Sequence, residues 1–328
     1  MSALPTTPPR TATPAPAQAA PAQVAPTAAP AATQVAREAD VRDVVAVGPD
    51  GLYDAVAVES AAVVIRAYST SFGWACRLLG EPVRDHVRAV YALVRVADEI
   101  VDDISPTLTP AQREDLLDEL ERDVTRARAC GRSSNLVVHA FARTARRFGI
   151  GDDLVAPFFA SMRADLTVTA HDEASFAAYV HGSAEVVGLM CLRVFVAGDD
   201  EAYARLAPGA ARLGAAFQKV NFLRDLAEDV EARGRSYFPG LDVDAFDDDA
   251  RDRLLADIDA DLAAAAAVIG DLPRSSRRAV RVAHDLFAEL SRRLAATPAA
   301  TIRRERVRVP GPVKARLVAA ACARDVLR

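Results

Sequence analysis

The chain has 328 residues, a formal net charge of −5 and 51% hydrophobic residues, with only 16 glycines and 6% aromatics. Length allows one large domain or two ordinary ones, and heavy use of Ala, Leu, Val and Arg favours helices over sheets. Four scattered cysteines (Cys76, Cys130, Cys191, Cys322) have neither disulfide nor metal-ligand spacing, which excludes a disulfide scaffold and suggests a reduced, cytosolic protein.

Residues 1–40 are rich in Ala, Pro and Thr and almost uncharged. Proline every few positions prevents a continuous helix and breaks any apolar signal core, so a disordered tail is expected there, with a single domain over 41–328. Helical periodicity then predicts helices over 55–80, 82–103, 110–129, 133–148, 152–168, 173–197, 200–230, 245–269, 273–296 and 312–327. Pro82, Pro110 and Pro273 stand near starts, where proline is tolerated, and Gly131, Gly149 and Gly198 near ends. No alternating strand pattern of useful length occurs, so the fold class is all-α. The nearest approach to a membrane span, "SAEVVGLMCLRVFVAG", is interrupted by Glu185 and Arg193.

From Arg274 onward, fourteen Arg and Lys face four acids. A basic helical end of this kind suits an anionic lipid surface, although a solvated face accounts for the same charge. Nucleic acid is disfavoured, because no aromatic or Gly-rich pattern accompanies the arginines.

The chemistry is concentrated in two acidic stripes. In "RVADEIVDD", Asp98 and Asp102 are four residues apart and share a helical face directly after the apolar run "AVYALV". In "FQKVNFLRDLAEDV", Gln218, Asn221, Asp225 and Asp229 form a second stripe on a helix otherwise carrying Phe217, Val220, Phe222, Leu223 and Leu226. Like charges at this spacing repel, and polar groups in an apolar setting need partners. Carboxylate and amide oxygens suit Mg2+, which binds through a few carboxylates plus substrate phosphates, and Arg95 and Arg224 stand beside the acids as diphosphate contacts. One isolated acid pair is ordinarily solvated surface, and Asp103, Asp152, Asp153 and Asp247–Asp249 read as surface acids or helix caps. Two arginine-flanked stripes in apolar helices do not. The five histidines show no ligand spacing.

"YSTSFGWACRLL", "YALVRVADEIVDD", "YVHGSAEVVGLMCL" and "GAAFQKVNFLRDLAEDVEARGRSYFP" occur in that order, and from about Ser60 onward the chain resembles the phytoene/squalene synthase family of head-to-head prenyl transferases, most of all the bacterial phytoene synthases. The resemblance implies an all-helical isoprenoid-synthase fold around a central substrate cavity. It implies Mg2+, with Mn2+ as a substitute, held by Asp98, Asp102, Asn221, Asp225 and Asp229, and no NADPH. Tyr68, Ser69, Thr70 and Ser71 match a polar turn touching diphosphate, Tyr91 and Arg95 a further pair in the site, Gln218 and Arg224 substrate contacts, and Arg235 and Tyr237 a flap. The catalytic set so implied is Asp98, Asp102, Asp225, Asp229, Tyr91 and Arg95. Many relatives carry His in place of Tyr68, and some carry Tyr where Phe287 stands.

By the same resemblance, two geranylgeranyl diphosphates condense through prephytoene diphosphate to phytoene, with Tyr91 and a bound diphosphate both open as acceptors of the final proton. The apolar chains need a long tunnel, and a hydrocarbon product suggests a cytoplasmic enzyme in peripheral contact with the inner face of the plasma membrane. Squalene or dehydrosqualene synthesis from farnesyl diphosphate, or a catalytically silent helical scaffold, are the competing readings. Gly182 and Gly188 allow either close helix packing or room for a prenyl chain.

Overall fold

The computed structural model describes residues 51–69, 71–103, 108–228 and 237–326. The expected tail lies outside them. The described chain is helical, with no β-strand among its described residues: α1 Gly51–Tyr68, α2 Ser71–Cys76, α3 Val83–Val101, α4 Pro110–Cys130, α5 Leu136–Phe148, α6 Asp152–Thr167, α7 Glu173–Val180, a π-helical turn His181–Glu185, α8 Val186–Phe195, α9 Asp200–Arg224, α10 Asp248–Ile269, α11 Arg274–Ala295, α12 Ala299–Ile302 and α13 Gly311–Val326.

Local signals set many of the boundaries. Thr109 and Gln112 form a capping box around Pro110, and Asn135, Asp172, Asp199 and Asp247 each accept backbone N–H groups at the start of a helix. α4 and α5 end on left-handed glycines, Gly131 (φ 85°) and Gly149 (φ 67°).

Three predicted helices are divided; the one expected as 200–230 ends at Arg224, with Asp225 as its C-cap, and helix resumes at 226–228. The segment expected as 55–80 is α1 and α2, broken after Tyr68. The segment expected as 173–197 is α7, the π turn and α8. A Cβ on Gly182 would fall 2.2 Å from the Pro157 carbonyl oxygen of α6, and one on Gly214 of α9 would fall 2.5 Å from the Ala184 carbonyl oxygen. The π turn is thus wedged between α6 and α9 at backbone contact. A Cβ on Gly188 would likewise meet the Ala210 carbonyl oxygen at 2.9 Å, so both glycines serve close packing. By length and composition alone, Glu173–Phe195 is apolar enough to cross a bilayer, which the sequence reading did not expect. In the fold this stretch packs on α6 and α9.

Buried side chains fall into two main clusters. One joins α3, α4, α5, α6 and α8 around Leu93, Phe141, Phe158 and Met190; the other joins α7, α9, α10, α11 and α12 around Phe222, Leu223, Ile258 and Leu294. Ion pairs from Lys219 Nζ to Asp257 (2.5 Å) and to fully buried Asp261 (2.8 Å) tie α9 to α10. α8 packs on both α3 and α9, the two helices that carry the acidic stripes.

Candidate active site

A cavity of about 830 Å³ opens between those helices. α3 contributes Arg95, Asp98 and Glu99, with Asp102 and Asp103 at its end, and α9 contributes Gln218, Asn221 and Arg224, followed by Asp225 and Glu228. α6 supplies Met162 and Asp165, α7 Tyr179 and the π turn Ser183, while Tyr237 and Arg306 close the wall from later in the chain. The two stripes predicted from sequence therefore face one hollow. Among its described lining residues the apolar wall comprises Val94, Val101, Met162 and Phe222, so this part of the cavity is a polar chamber.

The electrostatics are those of a chamber short of positive charge. Burial, then the neighbouring Asp102 carboxylate, push the Asp98 carboxyl up to about 7; Arg95 opposes the shift and Asp165 adds to it. Arg95 is itself ion-paired with Glu99, and its Nε has no hydrogen-bond partner. Across the chamber, Asp225 is clasped by two guanidinium groups. Arg224 Nε donates to Oδ1 at 2.8 Å, and Arg306 Nε reaches the same oxygen at 2.7 Å, with Glu228 a further 3.6 Å contact of Arg306. Asp225 is also the C-cap of α9, its N–H donating to the Asn221 carbonyl at 2.8 Å.

Among the described residues, no three His, Cys, Asp or Glu side chains converge as a ready-made metal cluster. The carboxylates stand on opposite walls, and the arginines hold one of them. The donor chemistry nevertheless fits a hard divalent cation: Asp98, Asp102, Asn221 and Asp225 offer only oxygen ligands, and Asp98 lacks a counter-charge strong enough to keep it in its ordinary range.

At the other end of the chamber lies a polar group that the sequence reading missed. The Tyr179 hydroxyl donates to Asp165, with 2.8 Å to each carboxylate oxygen, and the Tyr237 hydroxyl approaches Oδ1 at 3.4 Å. Phe222 stacks on Tyr237 with ring centroids 4.0 Å apart, and His171 flanks both tyrosines. Burial, then the Asp165 charge, hold the Tyr179 hydroxyl well above its usual range, so it stays a donor. Nearby, the Ser183 hydroxyl is buried without a hydrogen-bond partner. A π turn often marks a functional site, and this one carries a chamber residue.

Of the residues predicted from sequence, Arg95, Asp98, Asp102, Gln218, Asn221, Arg224, Asp225 and Tyr237 line the chamber. Tyr68, Ser69 and Tyr91 stand beside it. The Tyr68 ring lies under the Arg95 guanidinium at 4.7 Å, and Tyr91 hydrogen-bonds to Ser69, joining the α1–α2 turn to α3. Asp229, Arg235, Thr70 and the side chain of Ser71 lie outside the described residues. Arg306 was missed because it is 81 residues from Asp225 and no local pattern connects them. An acid inside the apolar stretch "PFFASMRADL" was the signal that could have found Asp165.

A sequence model of the squalene/phytoene synthase family matches residues 65–312. The phytoene synthase of Mycobacterium tuberculosis is 30% identical over 284 residues, covering 80% of this chain and 89% of that one. A 4,4'-diapophytoene synthase of Staphylococcus haemolyticus is 27% identical, covering 56% and 62% respectively, and a presqualene diphosphate synthase of Zymomonas mobilis is 30% identical, covering 55% and 60%. Among solved structures, a dehydrosqualene synthase in complex with ligand superposes with a TM-score of 0.71 at 19% identity, covering 85% of this chain and 100% of that one, which shows a shared isoprenoid-synthase helical fold. On the extent of the family match and the full-length relative, the chain belongs to the squalene/phytoene synthase family and is a prenyltransferase of that type.

Proposed function

We propose that this chain is a phytoene synthase, condensing two geranylgeranyl diphosphates head to head through prephytoene diphosphate to phytoene and releasing two diphosphates, as a step of carotenoid biosynthesis. One observation carries the reading. The described residues lining the chamber include seven carboxylates (Asp98, Glu99, Asp102, Asp103, Asp165, Asp225, Glu228) against three guanidinium groups (Arg95, Arg224, Arg306). Such a chamber repels a diphosphate unless cations enter with it.

Asp98, Asp102, Asn221 and Asp225, with Asp229, would hold Mg2+ or Mn2+, and the bound ions would supply positive charge to the departing diphosphate. The chain's own residues do the rest. Arg95, Arg224 and Arg306 are positioned to neutralise diphosphate oxygens as the allylic carbon–oxygen bond breaks, and Gln218 orients the headgroup. Val94, Val101, Met162 and Phe222 form the apolar side against which the allylic cation is kept from water. The Tyr179–Asp165 pair faces the same chamber and offers a fixed hydroxyl dipole to that cation. The product leaves by peripheral contact with the inner face of the plasma membrane.

The named relative that spans most of the chain supports the twenty-carbon substrate. The diapophytoene synthase relative favours a second reading, condensation of two farnesyl diphosphates to dehydrosqualene. Purified protein incubated with each diphosphate, with Mg2+ or EDTA and with or without NADPH, and analysed by mass spectrometry, decides among them. Phytoene formed from geranylgeranyl diphosphate with Mg2+ and independent of NADPH is expected. Product only from farnesyl diphosphate, or only with NADPH, overturns the reading.

A further inference from the structure

Exposed large apolar side chains are confined almost entirely to one short stretch of the described chain: Leu52 (69% exposed), Val56, Val63, Tyr68 and Trp74, with Leu116 the only other. At 100° per residue, Leu52, Val56 and Val63 fall within an arc of about 40° on α1, opposite the buried Ala57, Ala61 and Ile65. An outward apolar stripe on a helix that already buries its other face is unusual for water-exposed surface.

The stripe continues into basic and aromatic groups. Arg66, one turn beyond Val63, shares the wall of a small cavity of about 180 Å³ with Trp74 and Arg77. Glu59 neutralises Arg66, but Arg77 is exposed and carries no ion pair among the described residues. The Gly80 N–H donates to the Ser275 carbonyl at 2.9 Å, which brings the exposed start of α11, Arg274, to the same end. Ala75, next to Trp74, packs with Val282 and Ala283 of α11 and Ala321 of α13, so the basic C-terminal helices back this corner.

We propose that the outward face of α1 together with Trp74, Arg77 and Arg274 is the seat of the protein on an anionic lipid bilayer. Aliphatic side chains that can enter the acyl boundary, an indole that prefers the headgroup level and arginines that reach lipid phosphates are the combination a bilayer surface takes. α1 ends at Tyr68, whose ring lies under Arg95 of the chamber wall, so the lipid-facing helix runs to the mouth of the site. The use of this seat, delivery of a hydrocarbon into lipid, rests on the function proposed above; the seat itself does not.

Trp74 is the only tryptophan in the chain, so its fluorescence reports on this surface alone. The full chain is titrated with vesicles of phosphatidylglycerol and phosphatidylcholine, and with phosphatidylcholine vesicles alone, in low and high salt. A blue shift, quenching by acyl-brominated lipid and preference for the anionic vesicles are expected. Co-sedimentation of the triple variant Leu52→Ser, Val56→Ser, Val63→Ser should weaken by at least about tenfold. Arg77→Gln should lower the salt-sensitive part, and circular dichroism serves as the folding control. Binding to vesicles with Trp74 fluorescence unchanged, no binding at low salt, or loss of a lipid-independent dimer in the triple variant would each overturn the proposal. Turnover of prenyl diphosphates in detergent micelles, measured in parallel, reports on the proposed function separately, and the triple variant should retain it.

Discussion

Replacing Asp98 by Asn should make the metal-free protein more stable while disabling it. The Asp98 carboxyl is raised from 3.8 to about 7 by burial and by Asp102, so the fold binds a proton there that the unfolded chain has already released. Stability therefore falls as pH rises from about 4 to about 7 and is level above that. Ionising a carboxyl so displaced corresponds to about 4 kcal/mol at 1.36 kcal/mol per pH unit, and because Asp98 lines an open chamber, about 2–4 kcal/mol is the measurable part. Asparagine keeps the shape and never ionises. In EDTA at pH 8 the variant should melt about 4–8 °C higher than the parent, at roughly 2 °C per kcal/mol for a domain of this size. The difference should shrink through pH 6 and vanish near pH 4. Scanning fluorimetry across that range reads it directly. A variant no more stable at pH 8, or a gain that does not change with pH, would refute the electrostatic account of the first acidic stripe. Mg2+ with inorganic diphosphate should stabilise the parent and leave the variant nearly unchanged.

Asp225→Ala should lower Mg2+-dependent diphosphate release by at least about 100-fold, measured with a coupled phosphate assay, because it removes the central acid of the second stripe. Tyr179→Phe removes a donor to buried Asp165 and should cost about 1–3 kcal/mol in urea denaturation, together with a drop in turnover that a purely structural tyrosine would not cause. Lys219→Met should cost about 2–3 kcal/mol, less than the 3–5 kcal/mol for an isolated buried pair, because Arg212 still reaches Asp261 at 2.8 Å. By calorimetry, inorganic diphosphate should bind far more weakly in EDTA than in Mg2+.

What the sequence made legible follows from range. Thr109, Asn135, Asp172 and the glycines at 131 and 149 act on their own turns, so helix boundaries around them could be read locally. The stripes at Asp98–Asp102 and Gln218–Asp225 were readable because one helix fixes their spacing. The break after Tyr68 was not, because the apolar period runs on across it. The π turn was equally hidden, since it depends on Gly182 lying against Pro157 of another helix. Asp165 and Tyr179 sit on different helices, and their bond exists only once α6 and α7 have packed.

The same distinction governs how the chamber handles charge. Each chamber arginine is engaged with a carboxylate: Arg95 with Glu99, Arg224 with Asp225, and Arg306 with Asp225 and Glu228. A diphosphate arriving alone would have to break those pairs and leave unpaired carboxylates facing it, a double penalty. If Asp225 were instead engaged by a cation, Arg224 would lose its partner and Arg306 one of its two, and both would turn from internal counter-ions towards phosphate. On the function proposed above, these arginines would then couple the binding of cation and diphosphate. Arg306, from beyond α12, adds to that coupling by coming back to the end of α9, where Arg224 already holds Asp225.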